Sequence, residues 1–228
     1  MKKIILSILF FGVISINSAN AINLDVLSGD KRLACEALLC LASPVKPPEC
    51  ASAIAKYFSI HFKKPWKTIQ GRKNFLNLCP VDNSDTEMFK YKNDILAYLD
   101  GECSVAELNK RIERKLLRVE QICKDSACNE FKIYGYRINP ELTKSCYLLQ
   151  SSAYTSDYDK FNYTCSKDFI EEKDWKRGYK LEKITEQEYN ALPENLREKY
   201  REKVNLRWQY VYYKKNFINK QCWVNNNG

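Results

Sequence analysis

The sequence predicts a mainly α-helical protein with a small β-containing C-terminal portion, in which disulfides staple the helical domain. Three observations lead to this fold class. Apolar residues recur at steps of three and four over most of residues 31–122, which is helical spacing. Residues 131–138 and 204–213 are instead rich in aromatic and β-branched side chains, as strands are. Ten cysteines, an even number, all lie beyond a hydrophobic leader.

The leader, residues 1–21, has the parts of a secretory signal peptide. Lys2 and Lys3 precede an apolar run, and the segment ends in small residues at Ala19 and Ala21. The apolar run is shorter than the ~20 residues that span a bilayer. We therefore expect cleavage after Ala21, export to the periplasm and no integral membrane segment in the mature chain.

Two portions are expected after the leader: a disulfide-rich helical domain at residues 22–130 and a smaller α+β portion at 131–228. The fifth and last helix of the first portion has the most regular amphipathic pattern, because its apolar residues repeat from Val105 to Ile122. The five helices predicted in this portion cover residues 33–42, 50–62, 68–78, 86–101 and 105–122.

The C-terminal portion is expected to combine the two strands, at 131–138 and 204–213, with short helices. Thr185 and Glu188 have the spacing of a capping box, which predicts a short helix around residues 187–191. Pro193 predicts the start of a further helix toward Tyr200.

An even number of cysteines in an exported chain predicts five structural disulfides. On a regular helix Cys35 and Cys40 point about 140° apart, so they should not pair with each other. Cys40 with Cys50, across a proline turn, and Cys123 with Cys128, in a small loop, are two candidate pairs, and spacing leaves the full set open. Seven cysteines precede residue 130 and three follow it, so at least one bridge must cross that boundary. The ten are Cys35, Cys40, Cys50, Cys79, Cys103, Cys123, Cys128, Cys146, Cys165 and Cys222.

The composition disfavours catalytic, cofactor and metal sites, and we expect none. His61 is the only histidine, which excludes zinc sites built on two or more histidines. The C-x-x-C, GxGxxG and GxxxxGK[ST] motifs are absent from the sequence. The enzymatic alternative is a lysozyme-like glycosidase in which Glu36, on an apolar helix, is the acid, although no second carboxylate can be nominated.

One segment combines positive charge with aromatic residues and is a candidate docking surface. An acidic protein partner or the anionic cell envelope would be attracted to such a patch. The alternative is a solvated helix face whose tryptophan packs inward. A nucleic-acid partner is disfavoured, because basic residues are spread along the chain and no recognised binding module is present. The candidate residues are Lys63, Lys64, Trp66, Lys67, Arg72 and Lys73.

Several stretches resemble the TrbM family of conjugal transfer proteins. They are residues 27–40, 47–50, 57–60, 64–68 (KPWKT) and 72–80 (RKNFLNLCP). The matching residues that define the pattern are Cys35, Cys40, Cys50, Pro65, Trp66, Phe75 and Cys79. The resemblance implies a small exported protein that works with a type IV secretion system in mating-pair formation, and it supplies no catalytic residues.

Together these observations predict a periplasmic accessory protein of a conjugative type IV secretion system. It would act in conjugal DNA transfer through contacts with protein components of the secretion apparatus. The alternative function is that of a periplasmic, lysozyme-like enzyme that cleaves peptidoglycan.

Overall fold

The computed structural model describes residues 27–81, 84–124 and 127–226. Helices hold 43% and strands 30% of these residues, and the eight strands form three sheets. The protein therefore has a mixed α/β fold, and the prediction of a mainly helical chain with a small β portion is wrong. The predicted signal peptide and its cleavage site lie outside the described residues.

Helices occupy most of the described chain up to residue 110. They are α1 (Gly29–Ala42), α2 (Ala51–Ser59), α3 (Pro65–Leu76), α4 (Thr86–Lys90) and α5 (Val105–Lys110). A 3-10 turn, Pro48–Cys50, precedes α2, and α4 continues into a π-helical segment, Tyr91–Ile95, and a 3-10 turn, Leu96–Tyr98. The first four predicted helices are confirmed, with ends that differ by a few residues. Among the described residues, no helix is both long and apolar enough to cross a bilayer.

The fifth predicted helix, residues 105–122, is wrong beyond α5. From Ile112 onward the chain forms β1 (Ile112–Lys124), which pairs antiparallel with β2 (Ala127–Ile138) along its length. Ile112 and Ile122 are each 56% exposed, so the helical spacing does not mark a buried face. Strand pairing and cross-strand contacts outweigh the helical propensity of this segment.

Short helices and strands alternate after β2. They are α6 (Lys144–Gln150), β3 (Phe161–Tyr163), β4 (Ile170–Glu171), α7 (Glu172–Arg177), β5 (Tyr179–Ile184), α8 (Glu186–Ala191), β6 (Arg197–Val204), β7 (Arg207–Phe217) and β8 (Trp223–Asn225). The strand orders are β1-β2-β4 in one sheet, β3-β8 in a second and β5-β7-β6 in a third. All neighbouring strands are antiparallel.

Two predictions for the C-terminal portion are confirmed. The strand at residues 131–138 forms most of β2. The capping box is present at the start of α8, where the backbone amide of Glu188 donates to the Thr185 hydroxyl and the Glu188 carboxylate accepts from the Thr185 amide. This reciprocal pair satisfies two amides that have no partner within the helix.

Two other predictions for this portion are wrong in part. The strand predicted at 204–213 is interrupted, because Asn205 and Leu206 form a turn and β7 begins at Arg207. The helix predicted from Pro193 toward Tyr200 ends after one 3-10 turn, and β6 follows it. The charges of β6 alternate with a period of two, which is the strand period.

Buried tyrosines and a lysine satisfy carbonyl groups at the C-terminal end of α1. The Tyr91 hydroxyl donates to the Leu38 carbonyl at 2.9 Å. The Tyr158 hydroxyl lies 3.1 Å from the carbonyl oxygen of Leu41, and it accepts a hydrogen bond from the Lys46 ammonium at 2.8 Å. Helix ends leave carbonyls without partners and carry a partial negative charge, so these contacts stabilise the end of α1.

One buried cluster joins the helices to the C-terminal elements. It contains Leu41 and Tyr57 from α1 and α2, and Leu149, Tyr158 and Trp223 from the chain beyond residue 130. The core therefore draws on both predicted portions.

All ten cysteines form disulfides, as predicted. Cys35 and Cys40 have different partners, and both candidate pairs, Cys40–Cys50 and Cys123–Cys128, are confirmed. The crossing bridge that the cysteine count requires is the one between Cys103 and Cys146. The five disulfides are Cys35–Cys79, Cys40–Cys50, Cys103–Cys146, Cys123–Cys128 and Cys165–Cys222.

Candidate functional site

The predicted docking residues lie in the loop between α2 and α3 and along α3, from its first turn at Trp66 and Lys67 to its last turn at Lys73. Pro65 is the first residue of α3, a position that its fixed φ favours. Trp66 and Lys73 are seven residues apart and so lie on the same side of the helix. Two further aromatic residues lie beside them, Phe62 in the loop and Tyr98 at the end of the 3-10 turn. We name the combined region the basic-aromatic surface and define it as Phe62, Lys63, Lys64, Trp66, Lys67, Lys73 and Tyr98.

Two residues of α3 hold the loop in place. The Thr68 hydroxyl accepts a hydrogen bond from the Phe62 amide at 2.9 Å and lies 3.3 Å from the Phe62 carbonyl oxygen. A Cβ atom on Gly71 would lie 2.9 Å from side-chain carbons of both Ile60 and Phe62. A side chain at position 71 would displace the Ile60 and Phe62 side chains, so glycine there lets the loop pack closely against α3.

The aromatic residues of the surface face solvent, with ammonium groups beside them. Trp66 is 61% exposed, so the alternative in which it packs inward is wrong. The Lys67 ammonium is 5.6 Å from the centre of the Trp66 ring, and that of Lys73 is 5.4 Å from the Tyr98 ring. Exposed aromatic rings with adjacent cations are common in the centres of protein interfaces.

Arg72 does not belong to this surface, because it is buried. Only 5% of it is exposed, and its guanidinium lies 4.8 Å from the centre of the Tyr57 ring and donates to the Leu99 carbonyl. Burial raises the pKa of the Tyr57 hydroxyl, and the Arg72 charge partly offsets that rise. Arg72 therefore stabilises the contact between α2, α3 and the chain near Leu99, and a partner cannot reach it.

A surface pocket of about 310 Å³ lies beside the loop. Phe62 and Tyr98 line it together with Lys63, Lys144 and Asp100. The hydroxyl of a neighbouring serine donates to the Asp100 carboxylate at 2.6 Å, so this acid already has a partner. The pocket can accept an apolar side chain flanked by a carboxylate, which is the chemistry of an acidic protein segment.

Glu36, the acid of the glycosidase alternative, and His61, the only histidine of the sequence, lie in different settings. Glu36, on α1, accepts a hydrogen bond from the Arg32 guanidinium at 2.8 Å, an ion pair between residues four apart on a helix. His61 is exposed in the loop and lines the pocket. The other carboxylate oxygen of Glu36, Oε2, is buried without a hydrogen-bond partner among the described residues, and His61 is a surface histidine.

The cysteines are all oxidised, so none offers a thiol for redox chemistry or metal binding. Within residues 27–81, 84–124 and 127–226, no three His, Cys, Asp or Glu side chains are grouped as metal ligands.

A second face that combines basic and aromatic residues lies on β6 and β7, and its basic residues were not identified from the sequence. Lys199, Arg201 and Lys203 occupy alternate positions of β6, and Trp208 and Tyr210 occupy alternate positions of β7. The period-two spacing of these residues is the sequence signal that could have identified the face.

Comparison with known families gives one match. The family model described as TrbM matches residues 26–189, which is more than half of the chain. The match includes the whole basic-aromatic surface and four of the five disulfides, and it ends before β6. No curated protein matches the chain. No solved structure matches it either.

Proposed function

The chain belongs to the TrbM family, and from that premise we propose that it is a periplasmic accessory protein of a conjugative type IV secretion system. The family is associated with conjugal transfer and is not known as a family of enzymes. In this proposal the protein acts in mating-pair formation by binding protein components of the transfer apparatus, without catalytic turnover.

Two observations support a periplasmic location. Residues 1–21 have the pattern of a cleaved signal peptide. Five disulfides in a chain of this length are typical of proteins that fold in an oxidising compartment.

The observation that carries the proposed mode of action is the basic-aromatic surface. Thr68 and Gly71 support its loop, Trp66 is exposed, and the ammonium groups of Lys67 and Lys73 lie beside the Trp66 and Tyr98 rings. Such a surface favours a partner that presents acidic and apolar side chains together. Its positive charge would also speed association and make the affinity decrease with added salt.

The proposal is tested by reversing the charge of Lys63, Lys64 and Lys67 to Glu in one variant. All three side chains are exposed and lie outside the core, so the variant should fold and export normally. We expect the frequency of conjugal transfer to fall by about tenfold or more, because like charges would then oppose docking.

A matched variant carries the same charge reversal at Lys132, Lys167 and Lys183, which are also exposed but lie elsewhere. It should transfer at the wild-type frequency. If the first variant reaches wild-type levels in the periplasm and transfers normally, the docking proposal is wrong. If both variants lose transfer equally, net charge and not this surface is responsible.

A further inference from the structure

β6 and β7 form a hairpin at the edge of the third sheet, beyond the part of the chain that matches the family model. Side chains alternate between the two faces of a strand, so the REKYREKV sequence of β6 places its four basic residues on one face. This face of the hairpin, with its β7 residues, is named the cationic face. Its basic residues on β6 are Arg197, Lys199, Arg201 and Lys203.

Aromatic residues of β7 line the same face, because residues directly opposite each other in an antiparallel pair share a face. Trp208 is opposite Lys203, and Tyr210 is opposite Arg201. The cations also approach the rings diagonally, with the ammonium of Lys199 4.9 Å from the Tyr210 ring centre. Trp208 is 63% exposed and Tyr210 is also exposed, so both rings remain available to a ligand.

The acidic residues of the two strands are on the opposite face. Glu198 accepts a hydrogen bond from the Tyr179 hydroxyl at 2.8 Å, and Glu202 accepts one from the Tyr213 hydroxyl at 2.7 Å. Each carboxylate is thereby held away from the cationic face. The face with the two acids also carries Arg207 and Lys215 of β7, and Lys215 pairs with Glu198 at 3.3 Å. The cationic face receives no acidic residue from β6 or β7, so cations and exposed rings lie together there.

The turn at the tip of the hairpin exposes an apolar side chain, and its backbone conformation is unfavourable for that residue. Asn205 and Leu206 have φ values of 49° and 65°, the left-handed values of a two-residue type I′ turn. Glycine is the preferred second residue of such a turn, and leucine is disfavoured there by contact between Cβ and the backbone. Leu206 is nevertheless 85% exposed at the outermost point of the hairpin. An apolar side chain held in an unfavourable conformation and in water points to a ligand that takes it up.

We propose that this hairpin docks the protein on a bilayer that contains anionic phospholipid. Leu206 enters the apolar boundary, and Trp208, about 7 Å back along the strand, lies at the level where tryptophan concentrates in membranes. Arg201 and Lys203 then reach the phosphate groups, while their alkyl chains lie along the headgroups. Along the hairpin the apolar tip comes first, and the two pairs of ring and cation, Trp208 with Lys203 and Tyr210 with Arg201, follow it. A bilayer interface likewise places the apolar boundary before the level of aromatic rings and lipid phosphates. This inference concerns a different surface from the basic-aromatic surface and does not rest on the proposed function.

The test uses the purified, oxidised mature protein with two kinds of vesicle, one of phosphatidylcholine alone and one in which phosphatidylglycerol replaces a third of the lipid. Sedimentation should show binding to the anionic vesicles, weak binding to the neutral ones, and release from the anionic vesicles at high salt. Equal binding to both vesicles, or to neither, would overturn the proposal.

Leu206→Gly separates docking from folding. Glycine suits the left-handed turn, so the midpoint of thermal unfolding should stay the same or rise. Vesicle affinity should nevertheless fall about tenfold, because the apolar tip is lost. A Leu206→Gly protein that binds vesicles as the wild type does would contradict the insertion of the tip.

The charge requirement is tested by changing Lys199, Arg201 and Lys203 together to Gln. Removing three cations near the lipid phosphates should lower the affinity about a hundredfold. The matched control changes Lys132, Lys167 and Lys183 to Gln, which removes the same charge elsewhere, and should bind within about threefold of the wild type. Equal losses in both variants would overturn the assignment to this face. Binding of a single-stranded oligonucleotide with no binding of vesicles would overturn the proposal in favour of a nucleic-acid ligand.

Discussion

Lys46 connects the end of α1 to the core through a half-buried ammonium group. Its ammonium donates to the Tyr158 hydroxyl at 2.8 Å and lies 5.4 Å from the centre of the same ring. Burial lowers the pKa of Lys46 from 10.5 to about 8, and the nearby Glu102 carboxylate opposes that shift only in part. The folded protein therefore gives up this proton at a lower pH than the unfolded chain does.

This shift predicts how stability depends on pH. Between pH 8 and pH 10 the unfolded chain binds more protons at this position, so the free energy of unfolding should rise with pH, by about 1 kcal/mol per pH unit from this residue. Lys46→Met removes the titrating group, and its urea unfolding should lack that contribution. The same slope in the wild type and the Lys46→Met protein would show that Lys46 is not the source.

The residues of the candidate site show what spacing on a helix can and cannot predict. Arg72 is four residues after Thr68 and three before Phe75, both of which are buried, so helical spacing already placed it on the buried side. Its charge led to the opposite prediction. The exposure of Trp66 could not be read from the sequence, because either side of α3 near its start could have met the core.

At the scale of elements, the disulfides differ in the length of chain that they close. Cys123 and Cys128, five residues apart, join β1 to β2 near the tip of an exposed hairpin. Cys103 and Cys146 are 43 residues apart and both are buried. A longer closed loop restricts the unfolded chain more, so the second bridge should contribute more to stability.

We expect replacement of Cys123 and Cys128 by Ala to lower the free energy of unfolding by about 2 kcal/mol or less, and replacement of Cys103 and Cys146 by about 4 kcal/mol. Urea unfolding of the two double variants measures both values. The first variant should also keep the wild-type near-ultraviolet circular dichroism, since its bridge is remote from the core. Equal losses, or a larger loss for the first variant, would contradict this ranking.

Helices with a buried face were predicted well, whereas β1 and β6, each one strand of an exposed hairpin, were predicted in part as helix. α1 to α3 bury apolar residues at helical spacing, so the pattern and the structure agree. β1 has similar spacing, but its apolar residues are largely exposed, and its conformation depends on pairing with β2. β6 follows the strand period in its charges and not in its apolar residues. A search for apolar periodicity alone misses it.

At the scale of the molecule, counting cysteines predicted one long-range constraint before any contact was known. Seven cysteines before residue 130 required a crossing bridge, and Cys103–Cys146 is that bridge. The fold class was not predictable in the same way. Residues 112–122 of β1 were assigned to a helix by a pattern that looks only a few positions along the chain, whereas the pairing of β1 with β2 joins positions up to 26 residues apart.

We propose that the protein acts in conjugal transfer through the basic-aromatic surface, and two exposed aromatic residues allow a matched test. Trp66 is the most exposed aromatic residue of that surface, and Phe131 on β2 is a comparably exposed aromatic residue outside it. Trp66→Ala and Phe131→Ala each remove one exposed ring and should leave the fold intact.

The most direct measurement is the conjugal transfer frequency of cells that export each variant at the wild-type level. We predict that Trp66→Ala lowers the frequency by about tenfold or more, as loss of a central interface tryptophan does for binding, and that Phe131→Ala leaves it unchanged. Wild-type transfer by a folded, exported Trp66→Ala protein would contradict the account.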